Sequence, residues 1–137
     1  MSRTVSTRFQ NLPGSQAGLG RTGTRTLIAD RPEGVAGGQG LGFNGAELLA
    51  AALGGCFWND LHYAAEARGI QLGSVDVAAD VTLDGHPLRV TGATIRARVA
   101  AETPAQAREC FDAASADSTI AKSVSAAFPV AFAFEDF

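Results

Sequence analysis

Asn44-Gly45-Ala46-Glu47-Leu48-Leu49-Ala50-Ala51-Ala52-Leu53-Gly54-Gly55-Cys56-Phe57-Trp58-Asn59-Asp60 is the stretch on which the fold turns. Asn44 and Glu47 stand at the N-cap and N3 spacing of a capping box, where each side chain accepts a hydrogen bond from the other's backbone N–H. The pattern predicts a helix over 46–68, closed by Gly69 as the C′ residue after a terminal Arg68. Leu48 to Leu53 is apolar on every side, which is the pattern of a helix buried all round rather than one lying on a surface. A chain of 137 residues barely wraps such a helix by itself. A second copy of the chain is therefore expected to supply the missing cover.

Working upstream, residues 33–45 hold six glycines without periodicity and read as a long loop. Before it, Thr24–Ala29 is a strand candidate ended by Asp30-Arg31-Pro32. Asn11–Gly20, with Pro13 and three glycines, reads as a loop or wide turn, and Val5–Phe9 as a first strand. Downstream, Val75–Leu83 alternates apolar and polar residues, Asp84-Gly85-His86-Pro87 makes a turn, and Leu88–Val99 returns, with Gly92 marking a bulge. Thr103-Pro104-Ala105-Gln106 is a helix start with an N-cap, Pro at N1 and Gln at N3, and that helix runs to about Asp117. A short helix over 118–127 and a closing strand over 129–134 complete the chain. The order ββαββααβ contains no repeated βα unit, so an α+β fold with antiparallel sheets is expected, as a single domain over 1–137.

Composition narrows the function classes. The net charge is −3 and the basic residues are scattered, so no nucleic-acid footprint is expected. No apolar run reaches the roughly 18 residues of a membrane span, and the N-terminus lacks the apolar stretch of a secretory signal. Two cysteines make no disulfide framework and fit a reducing compartment, so a cytoplasmic protein is expected.

Projection at about 100° per residue puts Asn59, Asp60 and Tyr63 on the helix face of Cys56. Gly54-Gly55 thins the helix beside the sulfur and lets a backbone or ligand approach. Cys56 is thus either a small core residue or a reactive thiol. Asp60 is near enough to oppose a thiolate, so a cation for the second reading has to come from elsewhere in the fold. Cys110 falls on an apolar stripe with Ala107, Phe111 and Ala114 and reads as core. Gly40-Leu41-Gly42-Phe43-Asn44-Gly45 spells a dinucleotide fingerprint, but no strand precedes it, so nucleotide binding is an outside reading. His62 and His86 are isolated, so neither a metal nor a cofactor is expected. Ser118 and Ser123 have no nearby base.

Glu47 to Phe57, followed by Asp60-Leu61, resembles the central-helix signature of the OsmC/Ohr-like family. The likeness continues at Ala67-Arg68-Gly69-Ile70, at Asp84-Gly85-His86-Pro87-Leu88-Arg89-Val90 and at Ala116 to Ser123, so it covers roughly residues 40–134. The resemblance implies an intertwined homodimer with a long buried central helix and an active site at the dimer interface. It also implies a peroxidatic cysteine that attacks a hydroperoxide, a second cysteine that resolves the sulfenic acid as a disulfide, and a helper arginine and glutamate.

Carried over by position, Cys56 falls on the peroxidatic cysteine and Ser118 on the resolving one. The helper glutamate position is Ala46, one residue before Glu47, and the helper arginine is Arg25, with Arg21 as the alternative. Two functions are expected from this. One is a one-cysteine thiol peroxidase, with Cys56 reducing a small organic hydroperoxide and an external thiol resolving it. The other is a non-catalytic relative that binds a small apolar ligand or a partner at the dimer cleft.

Overall fold

A computed structural model of the chain describes residues 1–136. The chain falls into two compact units, Met1–Leu48 and Leu49–Phe137.

The first unit is a three-stranded sheet with a long loop. Its strands β1 (Arg8–Asn11), β2 (Gly18–Thr22) and β3 (Arg25–Ala29) pair antiparallel in the order β1-β2-β3. β2 corrects the expected loop over 11–20. Glycine is a poor strand former, and its abundance there hides the strand. Phe9 pairs opposite Gly20, and a Cβ on Gly20 would stand 2.7 Å from the Phe9 ring. The glycines of β2 leave room for that ring to lie across the strand, a pairing that local composition does not reveal.

The loop after β3 is organised by one carboxylate. Asp30 is buried and accepts from the backbone N–H of Arg31 at 2.8 Å, Gln39 at 3.1 Å and Leu41 at 3.0 Å, and from the Arg31 guanidinium at 3.2 Å. Its glycines serve the backbone: a Cβ on Gly38 would come within 2.5 Å of the Pro32 carbonyl, and one on Gly42 would collide with that of Ile28. Of the three glycines that spell a nucleotide fingerprint, Gly42 thus has a local cause, as does Gly40 at φ +66°.

These hydrogen bonds, led by the one from Leu41, hold the Asp30 carboxyl below its ordinary value of 3.8. A lowered folded value means that the loop gains stability above the ordinary range and loses it as pH falls through the folded value. The amide proton shifts of Gln39 and Leu41 are expected to titrate together, with a midpoint below 3.8. The Asp30→Asn variant should show no such titration. A midpoint above the ordinary value would contradict the assignment.

The long helix α1 (Gly45–Arg68) has 24 residues and the expected ends. Asn44 and Glu47 exchange side-chain to backbone hydrogen bonds of 2.9 and 3.0 Å. At the other end Gly69 adopts φ +64°, while Ile70 N–H donates to Ala65 O and Gly69 N–H to Glu66 O, a Schellman motif.

The second unit sets the rest of α1 against a mixed sheet. Strands β4 (Leu72–Asp84) and β5 (Arg89–Ala101) form the expected hairpin, with a register shift where Thr82 pairs Gly92 and Leu83 pairs Val90. The bulge therefore falls at Thr91, beside the glycine that signals it. Helix α2 (Pro104–Asp117) carries the capping box of Thr103 and Gln106, and α3 (Thr119–Val124) is shorter than expected. Strand β6 (Val130–Glu135) pairs with β5 in parallel, which corrects the expectation of wholly antiparallel sheets. The physical reason is the connection: α2 and α3 carry the chain back along the sheet, and a helical crossover of that kind delivers the next strand parallel.

Ala93, Ile95, Ala97 and Val99 of β5 are buried at the period of two that a strand imposes. They meet Leu53, Phe57 and Leu61 of α1 and Ala107, Phe111 and Ala114 of α2 in one core. Within one chain α1 is buried on one face. Leu53, Phe57 and Leu61 are fully buried, but Ala51, Ala52, Gly55 and Trp58 are exposed. One sheet and one helix cover only one face of it.

Candidate active site

Cys56 stands on α1 immediately before Phe57, and Phe57 fixes how the helix is turned. The Phe57 ring meets Phe111 edge-on at 5.5 Å and Phe132 at 5.4 Å, so it is held from α2 and β6 together. Cys56, one residue earlier, is left at the margin of the buried face and is half-buried. Gly54 lies over Ala79 of β4, where an added Cβ would make ordinary contact at 3.4 Å. Gly55 faces open space.

Two side chains converge on the sulfur. Asp60 lies one turn further along the same helix, and its Oδ2 accepts from the Cys56 thiol at 3.5 Å. Ser118 Oγ donates to Cys56 Sγ at 3.8 Å across 62 positions of sequence. Ser118 is fully buried at the junction of α2 and α3, and its side chain makes no cap for α3. Its hydroxyl is turned to the sulfur instead. Position 118, read as the place of a resolving group, is thus brought to the thiol it would resolve, but it offers an alcohol.

The remaining candidates are placed elsewhere. Arg25 opens β3 in the first unit, opposite Thr22, and Arg21 lies in β2 opposite Arg8 and Thr26. Both belong to the first unit. Glu47 is occupied by the capping box. Asn59 and Tyr63, expected beside Cys56, are exposed, and of that polar stripe only Asp60 reaches the sulfur. Cys110 is fully buried against Ala64 and Ala65, and that burial pushes its thiol up. It is a core residue and a poor nucleophile. Among the described residues no group of three His, Cys, Asp or Glu could hold a metal ion, and no helix is long and apolar enough to cross a membrane.

The structure brings Cys56 together with Asp60 and with Ser118. The spacing of four along one helix signals the first pair. Only the position-by-position likeness signals the second. The organising role of Asp30 was missed, since Asp30-Arg31-Pro32 reads simply as the end of a strand.

The α+β fold has counterparts among solved structures. An OsmC-like protein of unknown function from Vibrio cholerae superposes with a TM-score of 0.76 at 17% identity, over 98% of this chain and 100% of that one. An organic hydroperoxide resistance protein from Legionella pneumophila gives 0.71 at 19% identity, over 97% of each chain. The organic hydroperoxide resistance protein of Bacillus subtilis gives 0.68 at 21%, over 97% of this chain and 98% of that one. At these identities the likeness shows a shared fold. No curated protein matches the sequence. The model of the OsmC-like protein family matches residues 37–133, and the chain belongs to that family.

Proposed function

We propose that this chain is a one-cysteine thiol peroxidase in which Cys56 reduces a small organic hydroperoxide and an external thiol reduces the resulting sulfenic acid. The observation that carries the reading is the 3.8 Å contact between Cys56 and Ser118. The two positions that hold the peroxidatic and resolving thiols in the resembling family stand side by side, with the second one changed to serine. A thiol oxidised there has no protein thiol beside it to condense with, because Cys110 packs in a separate cluster with Ala64 and Ala65. Turnover then depends on a thiol from outside. The organic hydroperoxide resistance proteins that share the fold supply the substrate class by analogy.

The working form in this reading is a homodimer in the cytoplasm, with Arg25 (or Arg21) as the cation near the thiol. The exposed face of α1 supports the dimer. Ala51, Ala52 and Gly55 are small enough for a second helix to approach closely, and Trp58 stands exposed beside them. A second reading, that of a ligand-binding relative, draws support from a cavity of about 500 Å³ in the first unit, lined by Phe9, Ala17, Phe43 and Leu48 with Arg31 at its wall.

Consumption of cumene hydroperoxide in the presence of dithiothreitol separates the readings. Cys56→Ser is expected to reduce it to the uncatalysed rate, while Cys110→Ser leaves it unchanged. Equal consumption by the Cys56→Ser variant and the parent protein would overturn the peroxidase reading.

A further inference from the structure

The geometry points to Asp60 as the proton carrier of the Cys56 reaction, a role that rests on the peroxidase reading above. The Cys56 thiol donates to Asp60 Oδ2 at 3.5 Å, and the two residues share one face of α1 a turn apart, so no rearrangement is needed to pass the proton. Asp60 makes no other side-chain hydrogen bond and no ion pair among the described residues. Its remaining lone pairs are free, and the residue is half-buried, so one side of the carboxylate is open to an incoming molecule. The Ser118 hydroxyl donates to the same sulfur. The sulfur therefore has a partner for its proton and a separate donor for its lone pair.

Reduction of a hydroperoxide needs a proton to leave sulfur and a proton to reach the departing alkoxide. One carboxylate in contact with the thiol can do both. As the sulfur attacks the terminal peroxide oxygen, Asp60 takes the thiol proton. The S–O bond forms, the O–O bond breaks, and two electrons pass from sulfur to the peroxide. Asp60 then gives the proton to the leaving alkoxide. The products are the Cys56 sulfenic acid and the alcohol, and Asp60 is again a carboxylate ready for the next turn.

The test compares single-turnover oxidation of Cys56, followed by trapping with dimedone and intact mass, in the parent protein, Asp60→Asn and Asp60→Glu. Two oxidants are used: tert-butyl hydroperoxide, whose alkoxide must be protonated as it leaves, and a peroxybenzoic acid, whose carboxylate leaves without help. Asp60→Asn is expected to slow oxidation by tert-butyl hydroperoxide about 100-fold. With the peroxyacid the deficit should shrink at least about tenfold, because the acid half of the role is no longer required. Asp60→Glu, which keeps the carboxylate, should recover part of the alkyl hydroperoxide rate. An Asp60→Asn rate equal to or above that of the parent would overturn the role, as would one equal deficit with both oxidants, the mark of a merely structural residue. A parent protein whose Cys56 stays unoxidised would overturn the peroxidase reading and the role of Asp60 together.

Discussion

Replacing Phe57 by alanine is expected to cost about 3–5 kcal/mol of folding stability, the range for truncating a buried aromatic ring. The ring is fully buried and belongs to the one core that joins α1, β5 and α2. Its edge-on contact with Phe111 and its contact with Phe132 tie α1 to α2 and β6, and Phe111 in turn meets Phe134 at 5.0 Å. Removing it leaves a cavity at the centre of this aromatic chain. Set against a total stability of about 5–15 kcal/mol, the loss takes a large share. Urea unfolding should show a midpoint lowered by more than about 1 M, given slopes of about 1–3 kcal/mol per molar. Leu88→Ala, in an exposed position at the hairpin turn, should stay within about 0.5 kcal/mol of the parent. A Phe57→Ala midpoint close to the parent's would mean that α1 is held some other way.

Ser118→Cys should change the product of oxidation rather than its rate. In the parent chain the only group at position 118 that faces the sulfur is a hydroxyl 3.8 Å away, which cannot condense with a sulfenic acid. A thiol there would sit on a longer bond from its Cβ and start closer to the Cys56 sulfur. Reaching the roughly 2.05 Å of a disulfide then takes small rotations of both side chains. A sulfenic acid at Cys56 would be captured by the new thiol, releasing water. One equivalent of hydroperoxide should therefore remove two thiols in the variant and one in the parent, with Cys110 remaining countable in both after unfolding. Peptide mapping under non-reducing conditions should find positions 56 and 118 linked. Loss of a single thiol in the variant would show that the two positions do not come together in solution.

The parts of the fold legible in the sequence are those set by local chemistry. Both ends of α1 are written within a few residues, at Asn44 with Glu47 and at Gly69, and the start of α2 within Thr103 to Gln106. The β4–β5 hairpin is legible because alternation and turn residues agree. What stays hidden depends on partners far along the chain. β2 reads as loop because Gly18 and Gly20 are there for the ring of Phe9. The direction of β6 is invisible because its residues would suit either pairing, and only the crossover through α2 and α3 decides it. The apolar first half of α1 suggests burial on every side, yet one chain covers only the face of Leu53, Phe57 and Leu61.

The site divides in the same way. Cys56 and Asp60 are joined by helix geometry alone. Ser118 reaches Cys56 by tertiary packing, and only its likeness to a known pattern of positions calls attention to it. The candidate arginines sit in the first unit, so their part in the chemistry rests on that likeness and on none of the contacts seen around the sulfur.

The central claim is that the Cys56 sulfur takes up one oxygen atom from an organic hydroperoxide. The direct measurement is intact-mass and peptide analysis after treatment with one equivalent of cumene hydroperoxide in the presence of dimedone. The predicted result is a single dimedone adduct, located on Cys56, with Cys110 unmodified and one cumyl alcohol released per chain. An unmodified Cys56 with the hydroperoxide still intact would contradict it.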